Sequence, residues 1–398
     1  MSSDDCVITG ARRTPFGRFG GALRDLSLPQ LGSHAVRAAL AEAGLAPGDV
    51  DELALGVNLP GSDRSIARQT LLQAGIPDDR VAYTCDRACC SSLSAITLAS
   101  RAIRLGEARI AVAGGSENMS RVPYFLEDLR FGRRLGHVQL VDQLVISCPH
   151  THVPRALQAS REALAYGVGR EEQDAWALRS QTLCARASAA GRFADEIAPI
   201  DLAAFGGDGV VAADESPRAT TTREQLAALP TVNGSETVTA GNAPGLSTGA
   251  SAVVLMTGAE AERRGRAPLC RLVATAMVSG HPDRIASIPA VAAKQLLARV
   301  DLPLDAIDLI EINEAFAAVP LVSTLELAER DRARAEKLRE KTNVNGGAIA
   351  IGHPTSATAA RLVMALAREL RRRGGGTGLV AICGGIAEAE AALIRVDG

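Results

Sequence analysis

The chain reads as an α/β protein built from one unit used twice, and three observations predict it. Apolar runs of strand length alternate with Ala/Leu-rich stretches of helical length. The order of these elements near the N-terminus recurs near the C-terminus. The letters repeat as well: Ala41-Glu-Ala-Gly-Leu-Ala-Pro-Gly-Asp-Val-Asp-Glu-Leu-Ala-Leu-Gly56 lines up with Ala298-Arg-Val-Asp-Leu-Pro-Leu-Asp-Ala-Ile-Asp-Leu-Ile-Glu-Ile-Asn313, and Ala111-Val-Ala-Gly-Gly115 with Ala381-Ile-Cys-Gly-Gly385.

In chain order, Cys6 to Thr9 is a short strand. Ser27 to Gly44 is a helix, with Ser27 as its N-cap and Gly44 as its stop. Glu52 to Val57 is strand-like, Ser91 to Gly106 is a helix, and Arg109 to Ala113 is a strand ending at Gly114-Gly115. The second copy places a helix at Pro289 to Arg299, a strand at Asp308 to Asn313, a helix at Thr355 to Arg373 and a strand at Gly378 to Cys383, ending at Gly384-Gly385. The region from about Ser116 to Glu236 has a different character, with the single Trp176 and a turn-and-helix signal at Thr220-Thr-Thr-Arg-Glu-Gln225. The charge-dense run Glu326 to Lys341 is expected to be an exposed helix with a solvated face.

Composition bounds the function. The 398 residues carry 45 acids against 43 bases, a net charge of −2, which removes the bulk electrostatic case for nucleic acid or an anionic membrane. Charged residues at 22% and hydrophobic ones at 47% are those of a globular chain long enough for a large core. Lysine occurs only as Lys294, Lys337 and Lys341, and no Gly-Lys-Ser/Thr exists, so there is no Lys-bearing phosphate loop. Met1-Ser-Ser-Asp-Asp-Cys6 has no apolar run behind it, and no apolar stretch reaches membrane-helix length. A cytoplasmic, reducing location is the expectation, with the eight cysteines mostly as thiols.

The repeat makes two of its junctions informative. Cys85-Asp-Arg-Ala-Cys89-Cys90-Ser-Ser92 and Asn343-Val-Asn-Gly-Gly-Ala-Ile-Ala-Ile-Gly352-His353-Pro354 precede equivalent helices, so Cys89 and His353 occupy equivalent strand-to-helix junctions that a pseudo-twofold axis can bring together. A thiol at a helix N-terminus beside an imidazole is expected to have a lowered pKa. Cys383 precedes a glycine turn whose amides can face an oxyanion. Nucleophile, base, second thiol and donor site together suggest acyl transfer through a thioester. Cys148-Pro-His150-Thr-His152 has ligand-type side chains but no second cluster at ligand spacing, so no metal is expected.

Several segments resemble the thiolase family of coenzyme A acyltransferases: Ala11-Arg-Arg-Thr-Pro-Phe-Gly-Arg-Phe-Gly-Gly21, Ala113-Gly-Gly-Ser-Glu-Asn-Met-Ser120, Val238-Thr-Ala-Gly-Asn-Ala-Pro-Gly245, Asn313-Glu-Ala-Phe-Ala317, Asn343 to Pro354, and Cys383-Gly-Gly385. The resemblance implies a five-layered α-β-α-β-α core of two similar halves. Residues 1–119, continuing at 237–265, would form the first half, 120–236 an inserted cover, and 266–398 the second half. It implies thiolytic cleavage of a 3-ketoacyl-CoA or the reverse condensation of two acyl-CoAs, with coenzyme A and acyl-CoA as substrates, no permanently bound cofactor, and a homodimer or homotetramer. By the same resemblance Cys89 takes up the acyl group, His353 activates it, Cys383 exchanges the α-carbon proton, Asn313 holds a water for the enolate, and the amides of Cys89 and Gly385 form the second oxyanion hole. Arg218, Pro244 and Ser247 are the expected coenzyme A contacts.

The departures from the family pattern cluster at the same places. They are Cys89-Cys90-Ser91-Ser92 with Asp86, Pro244 in place of a serine, Ser356-Ala-Thr-Ala359 for a glycine-rich turn, and Ile386-Ala387-Glu388 after Cys-x-Gly. The family's His-Met-Gly loop, which lines the acyl pocket, falls in register at Pro154-Arg155-Ala156, with His150 and His152 just upstream as partial substitutes. A ketoacyl-synthase-like condensing enzyme is the alternative within the superfamily, disfavoured by the second thiol. A divergent, weakly active homologue serving as a binding or scaffold protein is the alternative outside catalysis.

Overall fold

The computed structural model describes residues 5–127, 129–144 and 147–398; residues 1–4 of the N-terminal stretch Met1 to Cys6, on which the expectation of a cytoplasmic location partly rests, lie outside them. The principal elements are β1 (Cys6–Arg13), α1 (Leu28–Ala43), β2 (Glu52–Gly56), α2 (Ile66–Gln73), β3 (Val81–Cys85), α3 (Ser91–Arg104), β4 (Ile110–Asn118), α4 (Arg155–Ala165), α5 (Arg170–Ala189), β5 (Ser247–Thr257), β6 (Cys270–Ser279), α6 (Ile288–Arg299), β7 (Leu309–Ile312), α7 (Ala318–Leu327), α8 (Thr355–Arg372), β8 (Gly376–Cys383) and β9 (Glu388–Val396).

The strands pair in the order β7-β8-β9-β6-β1-β5-β4-β2-β3, which is nearly a palindrome about the β6–β1 contact. On each side the two strands nearest the centre pair antiparallel, the next pair is antiparallel, and the outer pairs are parallel. The second half lacks a full counterpart of β3; a single parallel bridge, Ile310 to Thr342, stands in its place. Among the described residues β1 and β6 pair at two positions, Val7 with Arg271 and Ile8 with Cys270, and the Ala317 amide donates to the Asn242 carbonyl at 2.9 Å as a further backbone link between the halves.

Side-chain alternation along each strand sorts the interior into three layers. Leu53 and Leu55 face α1 and α2, while Ala54 faces the middle. Leu379 and Ala381 face the layer of α6 and α7, while Val380 and Ile382 face the middle. The middle layer holds α3 and α8, so helices and sheets stack as five layers. α8 is buried continuously from Ser356 to Leu370. The helix signals hold at α1: Ser27 and Gln30 form a capping box, and Gly44 ends the helix at φ 63°.

Two expectations are corrected. β4 does not end at Gly114-Gly115 but runs on to Asn118. These glycines let other chains approach: a Cβ on Gly115 would overlap the Ser356 carbonyl of α8, and one on Gly114 the Ser251 carbonyl of β5. The charged run Glu326 to Lys341 is not one helix. α7 ends at Leu327, Glu329 and Arg330 take left-handed φ of 56° and 67°, and a new helix spans Arg332–Glu340. Arg339, at the end of that run, is buried and bonded to Glu172, Thr324 and the Leu321 carbonyl.

The glycine contact has a measurable consequence. Gly115→Ala would push the first turn of α8 off β4, and urea denaturation is expected to show a loss of about 3 kcal/mol or more. Gly48→Ala, at a site open to solvent, is the control and should change stability little.

Candidate active site

The turn between β3 and α3 presents Cys89. Asp86 accepts the Ala88 amide at 2.8 Å, and Ala88 takes a left-handed φ of 50°. Ser91 Oγ accepts the Arg87 amide at 2.9 Å and donates to the Ala88 carbonyl at 2.6 Å. Arg87 reaches the other half, donating to Glu390 at 2.9 Å and Glu388 at 3.3 Å. Cys90 points inward, its Sγ 3.5 Å from the Ile382 carbonyl, in space that Gly384 leaves by lacking a side chain. The second cysteine of the pair is therefore a packing contact between the halves.

His353 stands opposite, immediately before α8. Gly352 turns the chain at φ 108°, a value suited to glycine alone, and Ser247 Oγ accepts the His353 amide at 2.9 Å. The imidazole is fixed at both nitrogens. Thr358 Oγ1 donates to the Pro354 carbonyl at 2.9 Å, so toward His353 Nδ1, 2.7 Å away, it can only accept. Nδ1 therefore carries the proton, and the Nε2 lone pair faces Cys89 Sγ at 3.2 Å. Asn313 Nδ2 lies 3.4 Å from the same Nε2, while Asn313 Oδ1 is buried with no partner among the described residues.

Burial sets the resting charge state. Desolvation, with a smaller push from Arg361, lowers His353 to about 3, so it is neutral. Desolvation raises Cys383 to about 12 and carries the Cys89 thiol well above its ordinary range, with Cys383 and Glu117 adding to the rise. The expectation of a lowered thiol is thus corrected: desolvation dominates at Cys89, and its own backbone amide and Arg155 offset only part of it. The resting pair is a neutral thiol and a neutral base in contact.

Cys383 ends β8. Gly384 donates its amide to the Glu388 carbonyl at 2.7 Å, and Gly385 packs so that a Cβ there would touch Ala88 at 3.4 Å. The Cys383-Gly385 turn and the Cys89 turn therefore lie against each other. The Asn313 side is held by Glu314, whose carboxylate accepts from Trp176 Nε1 at 2.9 Å, Ser180 Oγ at 2.8 Å, Asn343 Nδ2 at 3.1 Å and the Ile349 amide at 3.0 Å. A side chain on Gly347 would collide with this carboxylate, and one on Gly346 with α5, which is why that loop is Asn-Val-Asn-Gly-Gly.

The expected coenzyme A contacts do not gather at the sulfur. Arg218 is exposed and anchored by its amide to Gln181 at 2.8 Å. Pro244 is partly exposed. Ser247 is fully buried, donating to the Gly245 carbonyl at 2.8 Å while holding the His353 turn. His150 and His152 are both exposed. Residues that sequence reasoning missed are Thr358, Glu314 and Glu117. Glu117 is buried and accepts from Thr355 and from the amides of Leu59 and Ser356 at 2.5, 3.0 and 3.2 Å. Ser356 and Thr358, noted from sequence only as part of a departure from the family's turn, are hydrogen-bonding groups: Ser356 Oγ donates to the Ser116 carbonyl at 2.8 Å, and Thr358, one turn into α8, faces back to His353.

The comparisons with known proteins agree with this arrangement. The thiolase N-terminal domain family matches residues 6–259, and the thiolase C-terminal domain family matches residues 266–396. A probable acetyl-CoA acetyltransferase of Escherichia coli is 41% identical over 400 residues, covering 99% of each chain. A β-ketoadipyl-CoA thiolase of Pseudomonas aeruginosa is 40% identical over 410 residues, covering 99% of each. The solved structure of human mitochondrial 3-ketoacyl-CoA thiolase in complex with CoA superposes with a TM-score of 0.93 at 36% identity over the full length of both chains.

Two outcomes follow from the geometry. Thr358→Val leaves Nδ1–H without its acceptor, and iodoacetamide labelling of Cys89 at fixed pH is expected to slow by about tenfold, with the fold retained. Because His353 falls from the ordinary 6.5 to about 3 in the folded chain, its contribution to stability is complete above pH 6.5 and is lost as the pH drops toward 3. Urea midpoints measured from pH 7 to 4 should therefore fall less steeply in His353→Asn than in the parent.

Proposed function

This chain belongs to the thiolase family and is a thiolase-type acyl-CoA C-acyltransferase, and we propose that it works by ping-pong chemistry in which Cys89 carries the acyl group. Cys89 Sγ attacks the keto carbon of a 3-ketoacyl-CoA while His353 Nε2 takes the thiol proton. The amides of Cys89 and Gly385 face the resulting oxyanion. The bond between the α- and β-carbons then breaks. The acetyl-CoA enolate faces Asn313 and His353, and Cys383 supplies the proton to its α-carbon. Incoming coenzyme A returns a proton to Cys383, and its thiolate attacks the Cys89 thioester. Acyl-CoA leaves, and Cys89 recovers its proton from His353. Run backwards, the same steps condense two acyl-CoAs.

The observation that carries this division of labour is the single imidazole nitrogen in contact with both Cys89 Sγ and Asn313 Nδ2, at 3.2 and 3.4 Å. One group thus serves the first proton transfer and the enolate. We assign Arg218 to a coenzyme A phosphate and Pro244 to the pantetheine approach, with Ser247 acting from behind through the His353 turn. The same proposal divides the chain into a half at 1–119 and 237–265, a cover at 120–236 and a half at 266–398. It has no resident cofactor or metal, coenzyme A thioesters as its partners in place of nucleic acid or membrane, and a cytoplasmic location. Assembly as a homodimer or homotetramer is supported by the exposed apolar side chains of Val81 on the sheet-edge strand β3 and of Phe131 and Leu135.

The test mixes the protein with acetoacetyl-CoA and coenzyme A and follows loss of the ketoacyl absorbance. Cys89→Ala should lose about a thousandfold or more in rate and show no acyl adduct by intact mass. Cys383→Ser should still acylate from a simple acyl-CoA but fail to condense. Equal loss of both steps in that variant would overturn the roles given to the two thiols.

A further inference from the structure

Arg155 opens α4 beside the reacting thiols and has no place in the chemistry above. Pro154, just before it, bridges antiparallel to Ser147. The half-buried guanidinium donates through Nη1 to Gln158 Oε1 at 3.0 Å. Gln158 is itself 2% exposed and pinned by Asp283 Oδ1 at 2.8 Å and Thr151 Oγ1 at 3.3 Å. The arm is therefore built, not loose. Gln158 Nε2 also donates to the Pro282 carbonyl at 3.4 Å, and Gly280, two residues earlier, donates its amide to the Ala387 carbonyl at 2.9 Å, which brings the start of α4 up to the turn that follows Cys383. Arg155 favours the thiolates of Cys89 and Cys383, though by less than Glu117 opposes the first and Glu162 the second.

The acids facing this corner are already engaged. Glu162 on α4 accepts from the Ala286 and Ser287 amides ahead of α6, at 2.6 and 3.1 Å. Asp283 is bonded to Gln158 at 2.8 Å. Glu117, across the site, is held by Leu59, Thr355 and Ser356. Among the described residues no carboxylate pairs with Arg155. A guanidinium carries a flat fork of donors that fits a carboxylate in bidentate fashion, and withdrawing it from water without an anion is costly. The phosphates of coenzyme A sit at the far end of the pantetheine arm from the thioester. An anion that meets a cation beside Cys89 and Cys383 must therefore be on the acyl group.

We propose that Arg155 is a specificity residue that receives a carboxylate at the distal end of the acyl chain, making ω-carboxyacyl-CoA thioesters and the corresponding 3-keto diacid thioesters the preferred substrates. This rests on Cys89 as the acylated residue. The test compares acylation of Cys89 by succinyl-CoA and butyryl-CoA, which have equal chain length and differ in the terminal charge, by time-resolved intact mass. The wild-type chain should acylate about tenfold or more faster from succinyl-CoA. Arg155→Gln should bring the ratio to one or below, and Arg155→Lys should restore part of it. Butyryl-CoA reacting as fast as succinyl-CoA in the wild type overturns the inference, as does equal slowing of both thioesters in Arg155→Gln, which would mean that the cation acts on the thiols alone. Absence of any adduct from either thioester fails the Cys89 mechanism itself, a result separate from a lost preference.

Discussion

The site depends on one buried carboxylate. Glu314 has no solvent exposure, and a charge in that position is tolerable only when its lone pairs are met. Four donors meet it, and they come from two stretches far apart in sequence: Trp176 and Ser180 of α5, and Asn343 and Ile349 of the loop before α8. The bond set thereby fixes α5 against the loop that leads to His353, and it fixes both relative to Asn313, the adjacent residue. The demand spreads outward. Gly346 and Gly347 must lack side chains, and Asn343 adopts a left-handed φ of 49° in order to clasp the Ile312 amide and carbonyl as well. No single one of these residues performs chemistry, yet the position of the base follows from their mutual satisfaction.

The second organising fact is that the reacting groups rest uncharged. The imidazole is buried and the Cys89 sulfur only partly exposed, and neither an imidazolium nor a thiolate is favoured before substrate arrives. The proton inventory is nevertheless directional. Thr358 spends its own hydroxyl proton on Pro354, which leaves His353 a single acceptor nitrogen, and that nitrogen points at Cys89. Orientation, and not a pre-formed ion pair, is what the fold supplies to the first step.

How much of this could be read beforehand varies with the range of the interaction. Local signals were legible: Ser27 and Gly44 bracket α1 because capping depends on neighbours in sequence. The junction of Cys89 with His353 was legible through the repeat, which places both before equivalent central helices. Identical letters with different surroundings were not. Gly114-Gly115 continues a strand because the Ser356 and Ser251 carbonyls press on it, whereas Gly384-Gly385 turns because Glu388 takes its amide. The break at Glu329-Arg330 carries no glycine or proline to announce it. Ser247 was read as a ligand contact and is a buried brace for His353, since its partner lies over a hundred residues away. The desolvation that outweighs any lowering of the Cys89 thiol was not legible, because burial is a property of the assembled layers.

The near-palindromic sheet bears on how the chain is made in the cell. The first strand, β1, pairs with β5 and β6, whose residues are synthesised long after it. β9 is not an edge; it lies between β8 and β6, and α8 is sealed between the two halves of the sheet. A nascent chain therefore holds an open interior until β9 has left the ribosome. Such an intermediate exposes the apolar faces of the central helices, and it is the species that chaperones and aggregation compete for. The middle layer shared by the two halves thus ties completion of the core to the emergence of β9.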